Sequence, residues 1–149
     1  MPNIHDYTKT DFSALIDLWE KGDMNNRERN DDHRQIMRTI TVGGRLILLK
    51  QENQIIGSAW LTTDSRRMAL HHFTIHPKFR GMGYSHLLMN ESMHFAAEKG
   101  LQIKLEVHQS NKAAINLYEK YGFYNFQDYR IMINRNPAAA VKKQIRNKL

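Results

Sequence analysis

The 149-residue chain contains no cysteine. Disulfides, thiolate metal sites, iron–sulfur clusters and a cysteine nucleophile are therefore excluded. Proline is scarce too, with only Pro2, Pro77 and Pro137. No internal repeat and no Gly/Ser/Pro-rich linker breaks the chain. It reads as one domain over 1–136 followed by a basic tail over 137–149. No apolar run approaches the ~20 residues needed to cross a bilayer. The N-terminus lacks a basic start followed by an apolar stretch, so a cytoplasmic location is expected. Acidic residues are outnumbered, 15 against 22 Lys+Arg, for a net charge of +7. Such an excess suits an anionic partner, whether nucleic acid, a membrane surface or a phosphorylated cofactor. The tail supplies Lys142, Lys143, Arg146 and Lys148 with no acid, which leaves the body only modestly basic. What is present, 41% hydrophobic and 25% charged residues, is the balance of an ordinary globular domain.

Periodicity divides the chain. Asn3 to Tyr7 suits a short edge strand. Leu15, Ile16, Leu18 and Trp19 recur at helical spacing, with Thr10 as N-cap and Gly22 as stop. A polar loop over Asn25 to Asp32 precedes a second helix, capped by Asp31 or Asp32, that carries Ile36, Met37 and Ile40. Apolar runs at Arg45–Lys50 and Gln54–Thr62 flank Gln51-Glu52-Asn53 in a hairpin pattern. Met68 to Ile75 forms a further strand, which Pro77 ends. Gly83 to Lys99 is helical and stops at Gly100. Leu101 to His108 alternates as a strand. Ser110 or Asn111 caps a helix with Ala114, Leu117 and Tyr118 that ends at Gly122. Phe123 to Asn134 reads as a last strand. The order β-α-α-β-β-β-α-β-α-β predicts a mixed α/β sheet, part meander and part parallel crossover, with helices on both faces.

The most informative stretch is His76-Pro-Lys-Phe-Arg80-Gly-Met-Gly83-Tyr-Ser85, between a strand and a long helix. A tight turn there aims backbone N–H groups into one concavity, beside the unpaired N–H groups and positive dipole end of the helix. A phosphate or pyrophosphate suits such a place. A P-loop is absent, and the third glycine of a dinucleotide fingerprint would fall on His86. Alone, two glycines would be read as a helix-entry turn.

They are not alone. Arg80-x-x-Gly83-x-Ser85 after Phe-Thr-Ile-His-Pro resembles motif A of the GNAT superfamily of N-acetyltransferases, Gln/Arg-x-x-Gly-x-Gly/Ala. Leu105-Glu-Val-His-Gln-Ser-Asn111-Lys-Ala-Ala-Ile-Asn-Leu-Tyr118-Glu-Lys-Tyr-Gly122-Phe123 resembles the family's second signature, Leu-x-Val-x-x-x-Asn-x-x-Ala-x-x-Leu-Tyr-x-x-x-Gly-Phe. This second motif is most similar to that of ribosomal-protein N-terminal acetyltransferases. The resemblance spans about residues 3–135 and implies the GNAT fold. Ser85 departs from the usual Gly or Ala, but it is small and its hydroxyl adds a donor.

The resemblance implies an acyltransferase that moves an acetyl group from acetyl-CoA to a primary amine. The backbone of Arg80, Gly81, Met82, Gly83, Tyr84, Ser85 and His86 would hold the pyrophosphate. Phe73, Thr74 and Ile75 would pair with the pantetheine arm as a strand would, where neighbouring strands splay apart. Asn111 would contact the cofactor, and it equally suits a helix N-cap. Tyr118 would protonate the departing thiolate, although its spacing also suits the core. For the general base, Glu106 ranks first, then His72 or His71, then a water chain. The run Leu70-His-His-Phe-Thr-Ile-His resembles the fourth strand of arylalkylamine N-acetyltransferases, which use histidines there. Without cysteine, transfer would be direct, in a ternary complex.

His71, His72 and His76 lie on or beside one strand, but His71 and His72 are expected to point to opposite faces, and no metal site is expected. The acceptor site would be built by the first two helices and their loop, Asp23 to Asp32, whose charges nearly balance. Trp60, Met24 and Tyr84 could line its wall, and Trp19 belongs in the core. The acceptor is a small amine or amino acid, or alternatively a protein N-terminus; a non-catalytic acyl-CoA-binding module is the rival class. Neither nucleic acid nor membrane is expected as partner. The tail suits a solvated helix, a dimer contact or a native end.

Overall fold

The computed structural model describes residues 1–22, 24 and 31–146. Five strands form one sheet: β1 (Asn3–Asp6), β2 (Arg45–Gln51), β3 (Gln54–Thr63), β4 (Met68–Ile75) and β5 (Ile103–Leu105), in spatial order β1-β2-β3-β4-β5. The first four pair antiparallel, and β5 lies parallel to β4. Helices α1 (Phe12–Lys21) and α2 (His33–Thr41) precede β2. Helix α3 (Tyr84–Lys99) makes the crossover from β4 to β5, and α4 (Lys112–Lys120) and α5 (Pro137–Arg146) follow.

Strand β2 shows why the sheet is covered on both sides. Its run Leu46-Ile47-Leu48-Leu49 is buried throughout. Leu46 and Leu48 join Leu15, Leu18, Trp19, Ile36 and Trp60 under α1 and α2. Ile47 and Leu49 join Leu88, Met89 and Ala96 of α3 and Tyr118 of α4 on the other face. Alternate side chains of a strand point to opposite faces, so only a strand covered twice tolerates an unbroken apolar run. The mixed α/β sheet with helices on both faces, expected from the pattern, is the architecture found.

Several boundaries differ from expectation. The entry to α1 is set by Thr8 rather than Thr10. Thr8 N and Oγ1 both donate to Asp11 Oδ2, at 2.9 and 3.0 Å, around a short 3-10 turn. At α2 the cap is Asp32, whose Oδ1 accepts from Gln35 N at 2.8 Å. Strand β5 covers three residues rather than the whole of Leu101 to His108. The last strand expected over Phe123 to Asn134 does not form, and that stretch has only turns and irregular backbone. Its apolar residues alternate imperfectly, with Tyr129, Ile131 and Ile133 in one phase and Met132 in the other, and all four are exposed. The short edge of β5 offers a ladder of only three residues, too few to compensate a strand without a consistent core face.

Asp11 ties this end together. Its Oδ1 accepts from Lys50 Nζ of β2 at 2.7 Å, with both side chains largely buried. Burial opposes the charged form, but the Lys50 and Thr8 hydrogen bonds outweigh it and hold the carboxyl below its usual value. Stability from a depressed carboxylate is present above its unfolded value and is lost as pH falls through the folded one. Asp11→Ala is therefore expected to cost about 2 kcal/mol at pH 7. The difference from wild type should shrink below about pH 4, which urea unfolding across pH will read.

Candidate active site

Strand β4 contains one residue more than β3 opposite. Ser58 pairs with Thr74 and Trp60 with His71, so one residue of β3 faces two of β4, His72 and Phe73. This is a β-bulge. His72 takes φ +44°, a left-handed conformation that costs about 1–3 kcal/mol for a side chain with a Cβ. The bulge is held by a buried relay in which Trp19 Nε1 donates to Ser58 Oγ at 2.9 Å and Ser58 Oγ donates to the His72 carbonyl at 2.7 Å.

The extra residue changes which way side chains face. Strict alternation would place His71 and His72 on opposite faces. Instead both rings lie against Trp60, at 6.1 and 5.7 Å, and His72 also stacks on Trp19 at 4.0 Å. Phe73 turns to the other face and meets the Tyr118 ring edge-on at 5.9 Å. His72 and Tyr118 thus flank β4 from its two sides.

The ladder between β4 and β5 pairs Met68 with Ile103, Ala69 with Lys104 and Leu70 with Leu105, and then stops. Phe73, Thr74 and Ile75 consequently have no strand beside them on that side among the described residues. Glu106, Val107 and His108 continue past the end of β5 and are exposed.

Beyond β4, His76 and Arg80 aim the loop. The His76 ring is buried, and its Nδ1 accepts from Lys78 N at 3.2 Å across the turn at Pro77. Arg80 Nε donates to the Ile75 carbonyl at 2.9 Å, tying the loop to the strand end. Gly81 and Gly83 take φ +78° and +79°, and a Cβ at either would meet nothing within 4 Å. The glycines are required by backbone conformation rather than by protein neighbours, and the loop face is open. Gly83 caps α3 without a side chain, so the helix start keeps its positive end unscreened. Met82 is exposed, while Tyr84, Ser85 and His86 are half-buried. His86 Nδ1 lies 2.9 Å from the Tyr121 hydroxyl, which joins the start of α3 to the end of α4.

Asn111 Oδ1 accepts from Ala114 N at 3.2 Å and caps α4. Tyr118, about two turns further along, is buried between Phe73 and Phe123. Burial raises its phenol to about 12, so it stays protonated throughout the neutral range. Trp19 is fully buried, as expected of a core residue. Met24 is half-buried against the same cluster, and Trp60 is buried with its Nε1 donating to Thr39 Oγ1 at 2.8 Å. Of the loop expected to shape the acceptor site, Asp23, Arg27, Glu28 and Arg29 lie outside the described residues. Asp31 is described: its Oδ2 sits 2.7 Å from His72 Nε2. Sequence spacing did not reveal this pairing, because 41 residues separate the partners. Among the described residues, no group of three or more His, Asp or Glu is arranged to hold a metal. None of their helices is long and apolar enough to cross a membrane.

A bulged strand thus parts from its parallel neighbour and is followed by a glycine loop that opens a helix. Residues 4–123 match the model of the acetyltransferase (GNAT) family, and the chain belongs to that family. An acetyltransferase of Pectobacterium atrosepticum is 33% identical over 116 residues, covering 76% of this chain and 82% of its own. Among solved structures, the ribosomal-protein-S18-alanine N-acetyltransferase of Escherichia coli superposes with a TM-score of 0.70 at 20% identity. That match covers 87% of this chain and 88% of the other. AAC(6')-Iy, bound to the bisubstrate analogue CoA-S-monomethyl-acetylneamine, superposes with a TM-score of 0.71 at 15% identity, covering 90% and 97%.

The His76 turn has a consequence for pH. Burial, then the nearby Lys21 and Lys78 charges, hold the imidazole below its ordinary 6.5. The unfolded chain therefore takes up this proton first, and stability is lost as pH falls below about 6.5 toward the folded value. Protonating Nδ1 also removes the acceptor for Lys78 N. Substituting His76→Asn, which keeps a capping acceptor, is expected to flatten the fall in the urea midpoint between pH 7 and 5.

Proposed function

We propose that the protein transfers an acetyl group from acetyl-CoA to a primary amine by direct attack in a ternary complex. The acceptor is a small amine or amino acid. The observation that carries this reading is the end of the β4–β5 ladder at Leu70↔Leu105, beside the open glycine loop. Phe73, Thr74 and Ile75 would offer the pantetheine amides the backbone groups that β5 does not pair. The N–H groups from Arg80 to His86 would take the pyrophosphate at the start of α3. Asn111, beyond capping α4, would contact the cofactor through its amide NH2.

Acetyl-CoA supplies an activated thioester whose carbonyl oxygen gains charge on attack. A backbone N–H at the β4 bulge would stabilise that oxyanion. Tyr118 approaches from the opposite face to His72. A phenol at about 12 is a weak acid against a thiol near 8.5, so it would donate a hydrogen bond to the sulfur and release its proton only as thiolate charge builds. Glu106, at the mouth of the splay, and His72, at the bulge, are the candidate bases. The likeness of Leu105-Glu106-Val107 to the corresponding run in ribosomal-protein acetyltransferases favours a protein N-terminus as the second reading for the acceptor. A module that binds acyl-CoA without chemistry is the rival outside the enzyme class.

A panel of amines assayed for release of CoA thiol tests the reading. Turnover above hydrolysis is expected with at least one amine. Tyr118→Phe should lower kcat about 100-fold with acetyl-CoA affinity unchanged. Because the phenol stays protonated to about 12, no loss of rate between pH 7 and 10 should trace to it. Binding of acetyl-CoA with no turnover of any amine would favour the non-catalytic module. Gly83→Ala forces a side chain into φ +79°. It should cost about 1 kcal/mol of stability and weaken acetyl-CoA binding at least tenfold by calorimetry.

A further inference from the structure

Asp31 and His72 form a pair with a defined chemical polarity. Asp31 sits immediately before Asp32, the residue that caps α2, and its Oδ2 meets His72 Nε2 at 2.7 Å. A carboxylate can only accept, so the bond requires the proton on Nε2. In the neutral ring, the lone pair is then left on Nδ1. That atom is buried and has no hydrogen-bond partner among the described residues. The ring cannot easily turn to find one, since Trp19 stacks on its face at 4.0 Å with the planes 18° apart. The His72 side chain is only 3% exposed. Buried acceptors are rarely left without a donor, and this one belongs to the residue forced into the left-handed region at the bulge. Strain and an unmatched lone pair fall on one side chain, beside the strand segment Phe73 to Ile75.

We propose that Asp31 is a positioning residue. It fixes His72 with its proton on Nε2, so that Nδ1 receives the proton that the acceptor amine gives up. The assignment rests on the amine-acetylation reading and deepens it. In the step, the amine nitrogen lone pair forms the bond to the acetyl carbonyl carbon. The C–S bond breaks and its electron pair leaves with CoA sulfur. The proton lost by the nitrogen passes to His72 Nδ1, and the thiolate takes up a proton from solvent or from the Tyr118 phenol, which then recovers one from solvent. The imidazolium so formed faces the Asp31 carboxylate through Nε2–H, where its charge is stabilised. His72 returns its proton to solvent on product release. His71 is placed differently, with Nε2 2.9 Å from Thr62 Oγ1 at the exposed side of β4. Glu106 lies exposed beyond β5.

Kinetics of wild type, Asp31→Asn, His72→Gln and the double variant test the pair, using acetyl-CoA and the best amine of the panel. His72→Gln is expected to lower kcat about 100-fold and Asp31→Asn about 10-fold, with the KM for acetyl-CoA unchanged. The double variant should be no slower than His72→Gln, because Asp31 acts only through the histidine. Imidazole 15N NMR of the wild type should show His72 protonated at Nε2 with a bare Nδ1. Asp31→Ala should mix the two tautomers. A His72→Gln rate within twofold of wild type, losses that multiply in the double variant, or a wild-type proton on Nδ1 would each overturn the pair while leaving acetylation intact. Absence of turnover by the wild type with every amine would instead overturn the underlying reading, and the pair's role with it. The tautomer measurement needs no variant to fold.

Discussion

One extra residue in β4 governs the site. With His72 inserted opposite Ala59, the strand bends, and its pairing with β5 ends at Leu70↔Leu105. Without the bulge, Phe73 would not turn toward Tyr118 and His72 would not reach Trp19. The bulge is itself expensive, since a histidine at φ +44° is strained. It persists because the Trp19–Ser58–His72 relay, buried in the core, over-determines the backbone there. The hydrophobic core under α1 and α2 therefore does more than stabilise the fold, because its tryptophan supplies the donor that locks the strand.

The sequence was informative wherever the signal was local. The change from helical to alternating period located α1, α2, α3 and β2 to β4. The caps of α2 and α4 were legible to within two neighbouring residues each, Asp31 or Asp32 and Ser110 or Asn111, because a cap acts on its own helix within three residues, and Asp32 and Asn111 fill those places. Gly81 and Gly83 were legible as a loop because positive φ is a property of single residues. The two signatures around Arg80 and Asn111 carried the family, which the match over residues 4–123 establishes.

What remained hidden depended on distant partners. The outward alternation expected for His71 and His72 fails because a bulge is decided by register with β3, which no local pattern encodes. The Asp31–His72 bond joins a loop to a strand across 41 residues. The full alternation of Leu101 to His108 suggested a long strand, but only three residues pair, because β4 diverges. Phe123 to Asn134 has β-prone residues yet no edge long enough to receive them, so Tyr124, Phe126 and Tyr129 stay in solvent, where Phe126 meets each tyrosine edge to face.

The left-handed backbone at His72 also bears on how this chain tolerates change. Glycine or asparagine at position 72 would relieve about 1 kcal/mol or more of backbone strain, but removing the ring would also end its stacking on Trp19 and its bond to Asp31. Backbone and side chain thus pull in opposite directions at one codon, and any effort to harden the protein there has to weigh the gain in backbone freedom against a hole beside a core tryptophan.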